Sequence, residues 1–460
     1  MLLKTTLTVI ACAALVCAQD APKKELPPAG GTPKPFSVPK KETFKLRNGM
    51  QVTLVPYGVA PVVTVSAKVA FGNANEGPNQ VWLADFVGEM LSEGTASMTA
   101  EELAREAARM GGQLATSVGP DTADISIDVL SEFASDAVKL VADVLQRPRF
   151  PETEMERQRA NFLRQLTVQL ANPQGIASQA FFKQVYGDHP YGRLFPTEAM
   201  LKSYTIDDVR NFYKSNVGAR RTHLFISGRF EPDVRKAIEA AFNGWAEGPE
   251  VQRNPPKTEA KRTFTLIDRP GAQQSTLRIG LPVAADPTSK DYIPFQVTNS
   301  LLGGSFASRI TSNIREQKGY TYSPSSQLSS RYHTAHWVQN ADVTTNVTAE
   351  SIKEILYEVN RLRQEPPAEK ELAGIKNYMS GIFVLQNSSP RGIIEQLNFV
   401  SVQGLSDDYL RTYVPKVNAV TRGDVQGIAE RYLDPNKMTF VIVGDKAKIE
   451  QSLKPYAGSN

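Results

Sequence analysis

The sequence is poor in metal-binding side chains: among 460 residues it has two cysteines, Cys12 and Cys17, and four histidines, His189, His223, His333 and His336. Without cysteine beyond residue 17, neither a disulfide framework nor a thiolate metal site can be built in the body of the chain, so its stability must come from a hydrophobic core. Charge of one sign is also lacking. Lys and Arg number 52 against 48 Asp and Glu, a net charge of +4, and they interleave instead of forming runs. That pattern gives no case for nucleic acid as a partner. Long apolar runs are absent except for Leu7 to Val16. This is well short of the roughly 20 residues that span a bilayer.

What is present at the start reads as an export signal. Met1 to Lys4 is basic, the apolar run follows, and Val16-Cys17-Ala18 fits a small-residue cleavage rule, giving a signal peptide over 1–18. The chain is therefore expected in the bacterial periplasm or cell envelope. A second reading takes Val9-Ile10-Ala11-Cys12 as a lipobox, which would leave a lipid anchor at Cys12. Residues 19–42 are rich in Pro, Lys and Gly and cannot bury enough apolar surface to fold, so they are expected to be a flexible spacer. A second polar stretch with three prolines, 248–262, reads as a linker between halves at 43–247 and 263–460.

With 41% hydrophobic and 22% charged residues, each half can afford a core of its own. The two halves share an order of elements. In the first, strand-like runs occur at Phe44–Val55, Val62–Ala70, Thr122–Leu130 and His223–Gly228, with helical runs at Val81–Ser92, Thr99–Met110, Phe133–Leu145, Pro151–Leu170 and Thr205–Asn216. In the second, strands are expected at Thr263–Asp268, Ser275–Leu281, Tyr322–Leu328, Ala335–Val343 and Thr439–Val443. Its helices are expected at Tyr292–Leu302, Arg309–Lys318, Ala349–Gln364, Ala368–Gln386, Ile394–Gln403 and Thr421–Leu433. The expectation is an α+β fold of two homologous domains, each a mostly antiparallel sheet covered by helices on one face.

The histidines offer little for a metal. His333 and His336 have a spacing that would suit a helix, but their surroundings read as a turn entering a strand, where residues three apart point to opposite faces. His189 lies in Gly187-Asp188-His189-Pro190-Tyr191-Gly192, which reads as a structural turn with a hydrogen-bonded imidazole.

Two segments carry a family resemblance. Leu83-Ala84-Asp85-Phe86-Val87-Gly88-Glu89-Met90-Leu91-Ser92-Glu93-Gly94-Thr95 resembles the signature helix of the pitrilysin/insulinase zinc peptidases, L-A-H-F-L-E-H-M-L-F-x-G-T. In that family two histidines one helical turn apart grip zinc and the Glu between them is the general base on metal-bound water. Here Asp85 and Glu89 stand at the histidine positions and Gly88 at the base. The resemblance places the third ligand at Gln165, 76 residues after Glu89. In the second half, Leu302-Gly303-Gly304-Ser305-Phe306-Ala307-Ser308-Arg309 and Asn313-Ile314-Arg315-Glu316-Gln317-Lys318-Gly319-Tyr320-Thr321-Tyr322 resemble the family motif that ends in an Arg and a Tyr seven apart. These are Arg315 and Tyr322, and both are kept.

The resemblance implies a member with no metal or other cofactor in this chain. It implies that Arg315 and Tyr322 make substrate and oxyanion contacts in another chain's zinc site. A guanidinium offers fixed donors to a carbonyl or carboxylate, and a phenol offers one to a developing oxyanion. The expected function is a non-catalytic subunit of a heteromeric zinc peptidase acting on peptides. Its expected partner is a zinc-bearing paralogous chain, as a heterodimer, or a second copy, as a homodimer. Two alternatives stand beside it: a stand-alone peptide-binding or scaffolding protein, and an active metallopeptidase with an altered metal site. The second alternative rests on Asp85, Glu89 and Gln165, whose oxygens suit Mg²⁺ or Ca²⁺ better than zinc.

Overall fold

A computed structural model describes residues 37–457. The signal-like segment, both cysteines with the lipobox reading at Cys12, and most of the expected spacer lie outside the described residues.

The first half runs β1 (Glu42–Lys45), β2 (Gln51–Pro56), β3 (Val62–Val69), α1 (Leu83–Leu91), α2 (Ala100–Arg109), β4 (Leu114–Val118), β5 (Ala123–Leu130) and α3 (Ala134–Gln146). It continues with α4 (Met155–Ala171), α5 (Pro173–Tyr186), α6 (Glu198–Ser203), α7 (Ile206–Asn216), β6 (Thr222–Gly228) and α8 (Asp233–Phe242). The second half runs β7 (Thr263–Asp268), β8 (Gln274–Val283), α9 (Tyr292–Asn299), β9 (Ser325–Arg331), β10 (Thr334–Thr344), α10 (Thr348–Gln364) and α11 (Glu369–Gln386). It closes with α12 (Pro390–Val402), α13 (Asp408–Ala419), α14 (Arg422–Tyr432), β11 (Thr439–Gly444) and α15 (Lys446–Leu453). Between α9 and β9 the chain makes two π-helical turns, Ser300–Gly304 and Thr311–Gln317.

Six strands form one sheet in the order β1-β2-β6-β3-β5-β4, and five form the other as β7-β11-β8-β10-β9. In each sheet a single pair is parallel, β2 with β6 and β7 with β11; the other pairs are antiparallel. The two halves are thus built alike. The same capping device opens corresponding helices: Thr205 with Asp208 at α7 and Thr421 with Asp424 at α14, each threonine hydroxyl accepting the third backbone N–H while the carboxylate reaches back. The Thr99–Glu102 box read from the sequence caps α2.

One feature of the packing departs from a sheet covered on one face. Each half lends a helix to the other half's sheet. Helix α5 belongs to the first half by sequence yet packs on β11 and β8, with Phe181, Val185 and Tyr186 against Val338, Val441 and Val443. Helix α12 of the second half packs on β6 and β3. Both helices follow a sharp break, Asn172-Pro173-Gln174-Gly175 and Ser389-Pro390-Arg391-Gly392. Asn172 and Ser389 cap the new helix and the proline occupies its first turn. The glycine lets the new helix lie against the end of the old one: a Cβ would fall 2.2 Å from the Gln169 carbonyl at Gly175 and 1.9 Å from the Gln386 carbonyl at Gly392. Polar groups lock the exchange. Buried Lys68 of β3 bonds Glu395 of α12 at 2.6 Å and Asp124 of β5 at 3.3 Å, and Arg391 bonds Asp128 at 2.9 Å.

Other differences are local. Phe44–Val55 is a hairpin and not one strand, because Leu46 and Met50 close a turn at Arg47–Gly49. β1 begins at Glu42, inside the stretch expected as spacer, and Lys41 is held by Asp407 at 2.6 Å. Strands β4 and β9 are edges; β4 was not expected, and β9 starts at Ser325, so Tyr322 precedes it. Helices α5, α6, α8, α13 and α15 were also not expected.

The exchange makes a prediction about two nearby glycines. Gly392→Ala should lose about 3 kcal/mol by forcing Cβ against a carbonyl. Gly381→Ala, at an exposed site in α11 with nothing within 4 Å of a new Cβ, should gain about 0.5–1 kcal/mol. Urea unfolding of both variants checks the contrast; equal effects would contradict it.

Candidate functional site

Helix α1 has an apolar face that the core requires. Leu83, Ala84, Phe86, Val87, Met90 and Leu91 are buried, and Phe86 stacks on Phe162 of α4 with ring centroids 4.4 Å apart. The remaining face carries Asp85, Gly88 and Glu89. Gly88 does more than omit a proton acceptor. The helix lies against β4 so closely that a Cβ at Gly88 would sit 2.6 Å from Cγ2 of Val118. The Val118 methyl thus stands where the first atom of any larger side chain would go, and a glutamate cannot be accommodated unless the Val118 side chain moves.

Asp85 is half-buried and has an internal partner. Its Oδ2 accepts from Asn73 Nδ2 at 2.7 Å. The same amide donates to Glu76 Oε1 at 3.2 Å, and Glu76 Oε1 also accepts from the backbone N–H of Ala84 at 2.9 Å. Helix α1 starts on Trp82 in a left-handed conformation with no capping side chain of its own. Glu76 supplies the missing cap from outside the helix. Burial pushes the Glu76 carboxyl up to about 8, with the Asp85 charge adding to it. Burial pushes Asp85 up to about 6, against the hydrogen bond from Asn73. Glu89 is exposed; partial desolvation raises its carboxyl, and Glu93 adds to the effect. Gln165 is exposed on α4 and makes no hydrogen bond to Asp85 or Glu89. The α4 contact to this region is made two turns earlier, by Gln158 and Arg157 to Glu93 at 2.8 and 2.5 Å.

These residues do not fit zinc. One carboxylate is committed to an internal amide, the second is on the surface, the amide at 165 faces solvent, and nothing sits at the base position. Among the described residues no group of three or more His, Cys, Asp and Glu is arranged to hold a metal ion.

The second half presents a different constellation. Arg315 lies in the π-helical turn Thr311–Gln317, and such turns recur at functional sites. Asn313 fixes the turn, donating to Glu354 at 3.0 Å and Glu358 at 2.9 Å, and Arg309 anchors its start with a two-pronged bond to Glu371 at 2.7 and 2.8 Å. From this base the Arg315 guanidinium lies over two rings, 4.4 Å from the centre of Phe306 and 5.0 Å from that of Tyr322. Both rings are exposed, Phe306 at 70% and Tyr322 at 79%. The Tyr322 hydroxyl has no hydrogen-bond partner among the described residues. The structure therefore brings Arg315 and Tyr322 together. It adds Phe306, whose role no local pattern announced.

The histidines have internal partners. His189 Nδ1 accepts from the Tyr191 backbone at 3.2 Å, and Nε2 bonds the Asn254 carbonyl at 2.8 Å. His336 is buried in β10 with Nδ1 against the Tyr186 hydroxyl at 2.8 Å, while His333 sits exposed in the preceding turn.

Comparison with known proteins gives two family matches. Residues 52–195 match the model for "Insulinase (Peptidase family M16)", and residues 203–379 match that for "Peptidase M16 inactive domain". The chain is 23% identical over 390 residues to a Bacillus subtilis protein named uncharacterized zinc protease YmxG, covering 84% of this chain and 94% of that one. It is 20% identical over 382 residues to a Helicobacter pylori protein named non-peptidase homolog YmxG, covering 82% and 88%. Among solved structures it resembles a peptidase M16 inactive domain from Pseudomonas fluorescens, with a TM-score of 0.81, 23% identity, and coverage of 88% of this chain and 98% of that one. It also resembles the periplasmic protease PqqL of Escherichia coli, with a TM-score of 0.75 and 14% identity, covering 93% of this chain and 48% of that one.

Two predictions follow from the α1 geometry. Gly88→Glu should lose about 1–3 kcal/mol through overpacking, and Val118→Ala should restore most of that loss in the double variant. Additive losses in thermal unfolding would contradict the contact. The Glu76 carboxyl has a folded value of about 8 against an ordinary 4.5, so the folded state binds the extra proton between those limits. Its contribution to stability is complete below pH 4.5 and is lost as pH rises to about 8. Glu76→Gln, a fixed mimic of the protonated acid, should therefore raise the melting temperature more at pH 8 than at pH 5. A difference independent of pH would contradict the assignment.

Proposed function

Because this chain belongs to the insulinase family, peptidase family M16, we propose that it is a non-catalytic subunit whose second half completes the active site of a zinc-bearing partner chain. It is a pseudopeptidase-type member: the α1 residues do not suit zinc, and Val118 takes up the space at the base position. The observation that carries the reading is the contrast between the two motifs. The metal helix has lost its ligands and been closed by packing. The Arg315–Tyr322 pair has kept its residues, is presented on the surface and is braced by Asn313, Arg309 and Phe306.

In this reading the chain's own residues do two things. Arg315, held flat by two rings, directs its guanidinium at a peptide carbonyl or carboxylate. Tyr322, with its hydroxyl free, donates to the oxyanion that forms as the peptide bond is attacked. The free edges of β4 and β9 offer backbone groups to an extended peptide. Action in the bacterial periplasm or envelope is supported by the signal-like residues 1–18 and by the likeness to a periplasmic protease. The relative named a non-peptidase homolog supports the absence of independent turnover.

The test is reconstitution with a zinc-bearing paralogue from the same cell. The pair is expected to cleave peptides when neither chain does so alone. Arg315→Ala or Tyr322→Phe should lower the joint kcat by about 100-fold, the scale of one lost oxyanion donor, while leaving co-purification intact. Joint activity indifferent to both substitutions would sink the proposal.

A further inference from the structure

A polar cleft of about 350 Å³ lies on the face of the second sheet that α5 covers. Helix α5 packs chiefly on β11 and β8, so the edge strand β9 is left to line the cleft. Ser325, Gln327, Ser329 and Arg331 alternate along β9 onto it, and none of these side chains has a hydrogen-bond or ion-pair partner among the described residues. At its floor is His336, 1% exposed, with Nδ1 on the Tyr186 hydroxyl and no protein partner for Nε2.

The charges lining the cleft do not cancel. Arg278 donates to Gln174 Oε1 at 2.8 Å and faces Asp342. Asp342 in turn accepts from the Thr276 hydroxyl at 2.5 Å and from the Gln174 amide. Arg331 has no ion-pair partner among the described residues, although Asp121 and Arg331 both act on the Tyr186 and Tyr191 hydroxyls. In the first half the cation of β3, the strand that corresponds to β8, is met by a carboxylate: Lys68 bonds Glu395, five residues after the proline that opens α12. Five residues after the proline that opens α5 stands Ser178, which also lines the cleft. The exchanged helix brings a carboxylate to one sheet and a hydroxyl to the other.

We propose that this cleft takes a carboxylate from an extended peptide, either its C-terminus or an acidic side chain, on Arg331, the His336 Nε2–H and the Ser178 and Ser329 hydroxyls. Burial holds the His336 ring neutral, pushed down to about 3. An anion selects the tautomer in which Tyr186 donates to Nδ1 and Nε2 carries the hydrogen. The proposal rests on the reading that the chain binds peptides beside Tyr322. Ser323, the next residue, also lines the cleft, and the seven residues of β9 span about 23 Å, enough to pair with a peptide of similar length.

The test uses the intact chain and three fluorescent decapeptides labelled at the N-terminus: a neutral one with a free C-terminus, its C-terminal amide, and an amide carrying one internal glutamate. Anisotropy titrations are expected to show at least tenfold weaker binding of the neutral amide than of one or both carboxylate peptides; which of the two binds identifies the source. Arg331→Gln should abolish that difference and Arg331→Lys should keep most of it, with melting temperatures confirming that both variants fold. Equal binding of all three peptides, no binding of any, or no effect of Arg331→Gln overturns the inference. Arg315→Ala measured alongside separates the two readings. If binding falls with Arg315→Ala but not with Arg331→Gln, the cleft assignment fails and the proposed function stands. If it falls with Arg331→Gln alone, the cleft stands without Arg315.

Discussion

The contact between α1 and β4 constrains the rest of the molecule. A helix that must bury Phe86, Met90 and Leu91 has little freedom to shift along its neighbours. With Gly88 in place it settles against Val118. That packing puts the Val118 methyl where the side chain of a general base would have to start. The acidic residues left behind have been absorbed differently. Asp85 and Glu76 share the Asn73 amide and help to start the helix, and Glu89 faces solvent.

The second constraint is the exchange of helices between halves. Two breaks of the same design send α5 and α12 across to the opposite sheets, so each sheet carries a helix of the other half beside those of its own. Lys68 is buried where this happens and is met by Asp124 and Glu395. Removing one partner of such a cluster is costly because it strands the other. The two halves of the duplicated fold therefore form one compact unit.

Much of this was legible in the sequence. Duplication, the α+β class and most of the element order follow from periodicity, and the degenerate helix from the resemblance of Leu83–Thr95 to the family's signature helix. What escaped was long-range. Val118 closes on Gly88 through a strand that alternates only weakly, Leu-Ala-Thr-Ser-Val, and no local pattern links residue 118 to residue 88. Glu76 is a single acidic residue eight positions ahead of the N–H it caps. Helix α5 was hidden because Pro173 reads as the end of a helix, when here it opens the next one. A signal for it existed: the proline and glycine of Asn172-Pro173-Gln174-Gly175 recur as Pro390 and Gly392 in the second half.

The central claim is that the degenerate helix cannot serve a metal-dependent reaction by itself. The most direct measurement is the metal content of the isolated, folded chain after dialysis against excess zinc and removal of free ion, read by elemental mass spectrometry. A closed site retains far less than one zinc per chain. One firmly held zinc per chain, lost together with peptide cleavage on adding a chelator, would contradict it.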